Sequence, residues 1–250
     1  MQQRRKEIVE FVNQCGTVRF SQLKERFPQV SEMTLRTDLK ALDEARKLVR
    51  VHGGAKSVEV IVGTDDFLLR RAQRYVPEKA RIAQKALTLL RPDTTIYLDS
   101  GSTTTAFARL IPDERYQIFT NSLSCASDLC RLTYARISVV GGLLNRYSQS
   151  LYGIRAMQTV SAVNFDIAFL GTTCYSEKAG FSCGMEDEAE LKRTVIRQAE
   201  RVYMLMDSSK ADLTSTFSFA SLQDIDGIVS DGALPDELVQ ACRRLGKEVI

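Results

Sequence analysis

From Ile96 onward the chain repeats one pattern: a short apolar run, a small polar tract, then in most cases a stretch of helical periodicity. The runs are Ile96-Tyr97-Leu98, Ile118-Phe119, Ile137-Ser138-Val139-Val140, Ile167-Ala168-Phe169-Leu170, Val202-Tyr203-Met204-Leu205-Met206 and Ile228-Val229. Strand-like runs alternating with helical segments predict a mostly parallel sheet covered by helices, an α/β domain. The tracts behind the runs read DSGSTT, TNS, GG, GTT, DSSK and SD. In an open parallel sheet the C-terminal strand ends make the ligand crevice. Asp99 to Thr104, Thr120 to Ser122, Gly141 and Gly142, Gly171 to Thr173 and Asp207 to Lys210 are therefore expected to converge.

The first tract constrains the ligand. Ala106, Phe107, Leu110 and Ile111 fall on one face of the helix that follows it, so the first turn of that helix directs unpaired N–H groups back into the tract. Gly101 permits close backbone approach, and the hydroxyls of Ser100, Ser102, Thr103 and Thr104 add donors. A phosphate suits such a turn. Lys210 offers a cation, while Asp99, Asn121 and Glu186 offer hydrogen bonds to sugar hydroxyls. The expected ligand is a phosphorylated sugar or polyol.

The front of the chain has another character. Residues 1–60 hold 12 Lys and Arg against 8 Asp and Glu, so the small positive excess of the whole chain resides there. A basic segment beside a near-neutral remainder suggests an anionic polymer as partner. Ile8, Val9, Phe11 and Val12 predict a short amphipathic helix closed by Gly16. Ser21 is the expected N-cap of a second helix that Pro28 stops, and Ser31 that of a third, with Leu35, Leu39 and Leu42 on one face. Leu48 to Val51 and Val58 to Val62, around His52-Gly53-Gly54-Ala55, predict a hairpin. Three helices and a hairpin in that order make a winged helix-turn-helix.

Such a motif places the start of its last helix against base edges in the major groove of double-stranded DNA. Leu35 is expected in the core, leaving Met33, Thr34, Arg36, Thr37 and Lys40 outside. Arg36 can make the bidentate contact to guanine, while Arg19, Lys40, Arg50, His52 and Lys56 can neutralise phosphates. Residues 61–91, between the two regions, carry an arginine-rich helix from Phe67 to Arg74 and a helix opened by Pro77. They are expected to form a helical connector.

Several functions are disfavoured. His52 is the only histidine, which argues against a His base, a Ser-His-Asp triad or a cluster of His ligands, and neither cofactor nor metal is expected. The six cysteines are scattered without a C-x-x-C pair, as reduced cytosolic thiols are. No apolar run approaches a membrane span, and the expected location is the cytoplasm.

The segment SEMTLRTDLKALDEARKLVRVHGGA, Ser31 to Ala55, resembles the DNA-binding signature of DeoR-type bacterial transcriptional regulators, VS-x-x-TIRRDL-x-x-L-x-x-x-G-x-x-x-R-x-HGGA. Thr37 stands where the family usually has a second arginine, Arg46 stands near its usual glycine, and the turn FPQVS is one residue longer than usual. The later half is similar to the DeoR-type effector domain through LDSGSTTT, TNS, VGGLL, DIAFLG, EAELKR and DSSK. The resemblance implies a fold like ribose-5-phosphate isomerase, an effector surrounded by the strand ends, and a phosphate met by Lys210.

The expected organisation is a DNA-binding domain at 1–60, a connector at 61–91 and an effector domain at 92–250. The expected function is a transcriptional regulator, a repressor of a carbohydrate-catabolic operon, acting as a homo-oligomer on a two-fold operator. The rival is an isomerase-like enzyme with Glu186 or Asp187 as base and Lys210 as electrostatic partner. A protein-interaction adaptor is a third reading, and it predicts no salt-dependent DNA binding.

Overall fold

The structure, a computed structural model, describes residues 2–45, 47–51, 53–57 and 68–250. Contacts divide the chain into two compact units, Met1–Arg74 and Tyr75–Ile250.

In the first unit, α1 (Gln2–Cys15), α2 (Phe20–Arg26) and α3 (Glu32–Glu44) surround a core of Ile8, Val12, Val18, Leu23, Leu35, Leu39, Leu42 and Leu48. Gly16 closes α1 with φ 73°, as its position predicts, and its N–H donates to Val12 O at 2.8 Å. Ser31 caps α3 by accepting from the Thr34 N–H at 3.2 Å. The expected cap at Ser21 is displaced. Helix α2 begins two residues earlier, at Phe20, because the Gln22 side chain accepts from the Arg19 N–H at 2.9 Å and fixes Arg19 as the cap.

The wing also differs from expectation. Strands β1 (Thr17–Arg19), β2 (Val49–Val51) and β3 (Gly54–Lys56) form an antiparallel sheet in the order β1-β3-β2. The strand paired with β2 is thus Gly54–Lys56, whose first two residues the sequence reading placed in the turn, while the run at 58–62 lies outside the described residues. The reason is steric. A Cβ at position 54 would stand 2.0 Å from Val18 O, so only glycine lets this strand enter between its two neighbours.

In the second unit, β4 (Thr94–Leu98), β5 (Tyr116–Thr120), β6 (Arg136–Val139), β9 (Ile167–Gly171), β12 (Val202–Met206), β14 (Gly227–Ser230) and β15 (Glu248–Val249) form one sheet. Its order is β15-β14-β12-β9-β4-β5-β6, and every pairing is parallel. All six apolar runs of the sequence are strands of this sheet. Two hydrophobic cores lie on its faces, because alternate residues of each strand point opposite ways: Ile96 and Leu98 enter one, Tyr97 the other.

Helix α5 (Val76–Leu87) sends Ile82, Ala83 and Ala86 into the first of these cores, beside α6 (Ser102–Ala108) and α7 (Leu123–Leu129). On the opposite face pack α8 (Ile154–Ser161), α9 (Glu186–Gln198) and α10 (Asp236–Arg244). Two small antiparallel elements sit outside the main sheet: the hairpin β7 (Leu143–Asn145) and β8 (Ser150–Tyr152), and the sheet of β10 (Cys174–Ser176), β11 (Gly180–Cys183) and β13 (Phe217–Ala220). The remaining described α-helix, α4 (Leu68–Ala72), belongs to the first unit.

Candidate functional site

In the first unit the outer face of α3 carries the residues expected to meet DNA. Leu35 is fully buried, whereas Met33 is 76% exposed and Arg36, Thr37 and Lys40 are also exposed. Three of the helix's polar groups are occupied locally. The Ser31 and Thr34 hydroxyls bond each other at 2.8 Å, and Thr37 Oγ1 donates to Met33 O at 2.9 Å. The two cations differ. Lys40 has Glu44 at 3.9 Å, both exposed, while the Arg36 guanidinium lies over the Phe20 ring, 4.3 Å from its centroid, with Glu32 at 3.9 Å.

Arg50 is exposed on β2, Arg19 and Lys56 are half-buried, and His52 falls outside the described residues. Sequence reasoning missed the anchor of α3. Asp38 is 1% exposed and accepts from Arg4 Nε at 2.6 Å and Arg5 Nε at 2.8 Å. Burial raises its carboxyl, but the hydrogen bonds and charges of the two arginines prevail and hold it below the usual carboxylate range.

In the second unit the strand order sets the site. From β4 the chain proceeds outward through β5 to β6, then returns to place β9, β12 and β14 on the other side, so the order reverses between β4 and β9. Ligand crevices of open parallel sheets lie at such a switch point. There Asp99, the residue after β4, and Gly171, the end of β9, meet: the Gly171 N–H donates to Asp99 Oδ2 at 2.9 Å. Asp99, Ser100, Ser102, Thr103, Thr104, Thr120 and Asn121 are all buried, and Gly101 has φ 150°.

Lys192, on α9, completes this centre. Its ammonium, 2% exposed, donates to Asp99 Oδ2 and to Gly171 O at 3.0 Å, has Glu188 at 3.3 Å and lies 5.4 Å from the Phe219 ring centroid. Burial disfavours both charges, yet Asp99 and Glu188 together outweigh it, and Lys192 titrates above the ordinary lysine range. We regard the group as a held ammonium beneath a carboxylate. Both of these bonds to Asp99 fall on Oδ2, which leaves Oδ1 for an incoming donor.

Neither Lys192 nor Glu188 stood out in sequence as a site residue, although their i, i+4 spacing within EAELKR places them on one helix face. Glu186, the acidic residue favoured by sequence, is exposed at the first turn of α9.

Among the described residues, three buried side-chain atoms in the segments just past the strand ends have no hydrogen-bond partner: Thr103 Oγ1, Asn121 Oδ1 and Asp207 Oδ2. Buried polar atoms are seldom left so. At the end of β12, Lys210 Nζ stands 3.8 Å from Asp207 Oδ2. Thr104 Oγ1 instead donates to Gly101 O at 2.9 Å, which fixes the turn. The hairpin β7–β8 is stitched to the end of β5, with Leu151 N–H donating to Asn121 O at 2.7 Å and Leu123 N–H to Gln149 O at 2.9 Å. Gly141 and Gly142 are exposed beside that hairpin; a Cβ on Gly142 would stand 2.3 Å from Tyr152 O, a packing reason for glycine there.

Cys125 packs under Asp99, and burial pushes its thiol up to about 11, which makes it inert. Among the described residues, no group of three or more His, Cys, Asp or Glu side chains is placed to hold a metal ion, and no helix is long and apolar enough to cross a membrane.

Comparison with known proteins decides the family. Residues 4–60 match the DeoR-like helix-turn-helix domain, and residues 74–232 match the DeoR C-terminal sensor domain. The chain belongs to the DeoR family. It is a DNA-binding transcriptional regulator with a sensor domain, as the sequence motifs imply. A relative from Escherichia coli O157:H7, described as a candidate aga operon transcriptional repressor, is 34% identical over 99% of this chain and 93% of its own length. The L-fucose operon activator of Haemophilus influenzae is 32% identical over 95% of this chain and 94% of its own. Ribose 5-phosphate isomerase A from Methanocaldococcus jannaschii is 18% identical over 53% of each chain with a TM-score of 0.39, too low to add to what the strand order establishes. The α/β class expected from sequence is that of this DeoR sensor domain.

Proposed function

We propose that this DeoR-family regulator represses a carbohydrate-catabolic operon and is controlled by a phosphorylated sugar or polyol bound at the C-terminal strand ends of its sensor domain. The observation that carries the reading is the meeting of Asp99, Gly171 and Lys192 at the switch point of the sheet, beside the unpartnered buried atoms of Thr103 and Asn121. Asp99 Oδ1 and Asn121 Oδ1 accept from ligand hydroxyls; Ser100, Gly101, Ser102, Thr103 and Lys210 receive the phosphate. The aga and fucose operons named for two relatives support a carbohydrate signal.

In this reading residues 1–60 read DNA, 61–91 connect, 92–250 sense, and the protein acts in the cytoplasm as a homo-oligomer on a two-fold operator. It binds its sugar phosphate without turning it over. An effector changes operator occupancy only through a difference in its affinity for the DNA-bound and DNA-free forms.

The test has two arms. A duplex selected from a random library by the full chain serves as operator, and a panel of sugar and polyol phosphates is screened by thermal shift, where a ligand at about 100 times its dissociation constant stabilises by roughly 2.7 kcal/mol. Compounds that bind are expected to weaken operator binding. Operator affinity that stays constant with a bound compound would sink the regulatory reading, and turnover of ribose 5-phosphate would restore the enzymatic one.

A further inference from the structure

We infer that Phe20 is a positioning residue for sequence recognition: its ring pre-orients the Arg36 guanidinium that reads a base edge. The inference rests on the reading of Arg36 as the base-contacting residue. Phe20 opens α2 and Arg36 lies in the second turn of α3, so two different helices of the DNA-binding unit bring the pair together. The guanidinium carbon is 4.3 Å from the ring centroid, within the range of a cation–π contact. Although Arg36 is 59% exposed, it is thus not a free side chain.

The neighbouring Lys40 shows the alternative. Among the described residues its ammonium has only an exposed pairing with Glu44 one turn along the same helix, as suits a mobile point charge that meets phosphate. A base-reading arginine has a stricter need, because bidentate contact to guanine O6 and N7 requires the planar fork in one orientation. Stacking on a ring supplies that orientation before DNA arrives, so less side-chain freedom is lost on binding. Phe20 itself is anchored, its ring half-buried and packed against the core of the unit, whereas Glu32 at 3.9 Å is 63% exposed and can swing away.

The test uses the full chain. Wild-type protein selects duplexes from a random-sequence library, and the preferred duplex, its single-base variants and a scrambled duplex are then titrated with each variant. Phe20→Leu keeps an apolar side chain but removes the ring, Phe20→Met serves should leucine here disturb folding, Phe20→Tyr restores the ring, and Arg36→Ala removes the reader. Phe20→Leu is expected to lose about two- to fivefold in affinity for the preferred duplex, concentrated at the base pair that Arg36→Ala also ceases to discriminate. Affinity for the scrambled duplex should not change, and Phe20→Tyr should behave as wild type. Discrimination by Phe20→Leu and Phe20→Met equal to wild type, with Arg36→Ala defective, overturns the role of Phe20 alone. A Phe20→Tyr as defective as Phe20→Leu shows that packing, not stacking, matters and likewise overturns it. Full discrimination by Arg36→Ala overturns the underlying reading of Arg36 and the inference with it.

Discussion

Lys192 and Asp99, 93 positions apart in the chain, form an ion pair in which both side chains are almost wholly buried, beneath the C-terminal ends of the parallel sheet. The pair joins a strand that leads into the polar turn to a helix on one face of the sheet. It also holds the Asp99 carboxylate in place from below.

Removing one member leaves the other as an uncompensated buried charge. Lys192→Met is expected to destabilise the protein by about 3–5 kcal/mol, measured as the shift of urea unfolding, whereas adding Asp99→Asn to it should recover part of that loss. Additive losses in the double variant would show that the two side chains act separately.

Asn121 should behave in the opposite way. Its Oδ1 is buried without a partner, and its Nδ2 makes only a long bond of 3.4 Å to Leu151 O. Asn121→Ala therefore should change stability by less than about 1 kcal/mol, since little hydrogen bonding is lost. Binding of the sugar phosphate found by thermal shift should weaken about tenfold or more by calorimetry. A stable variant with wild-type affinity would remove Asn121 from the site.

For DNA, Arg36→Ala is expected to cost about 1–3 kcal/mol on the preferred duplex and to relax the preference at one base pair. Lys40→Ala should weaken binding to all duplexes alike and reduce the slope of log affinity against log salt by about 1. Fluorescence anisotropy at four salt concentrations separates the two. Each variant should bind the effector as wild type does, and Lys210→Ala should show the converse pattern.

Asp38 supplies a pH prediction. Its folded-state pKa is depressed, so the stability it contributes is present above the unfolded carboxylate value, about 3.9, and is lost as pH falls through the lower folded value. Between pH 5 and 8 this group adds no pH dependence. Below about pH 4 the DNA-binding unit should lose stability progressively, and Asp38→Asn should remove that part of the dependence while destabilising the unit at neutral pH. Circular dichroism melts of both proteins from pH 2.5 to 7 would check it; identical acid profiles would contradict the assignment.

Much of this protein is written locally. The strands of the large sheet follow from apolar runs such as Ile167 to Leu170, and the cap of α3 from Ser31, because burial and capping depend on side chains a few positions apart. Spacing from Ser31 to Ala55 and the strand-end tracts were enough to point to the DeoR family, since motif residues there are close in sequence. Tertiary structure decided what depends on distant partners. It moved the wing strand to Gly54, where a close approach to Val18 demands glycine, and it turned Lys192 from one charge in an acidic helix into the buried partner of Asp99. It also set the Arg36 guanidinium on Phe20 and the Asp38 carboxylate between Arg4 and Arg5. Periodicity tells which face of an element is buried; only the packing of one element on another tells which charge meets which.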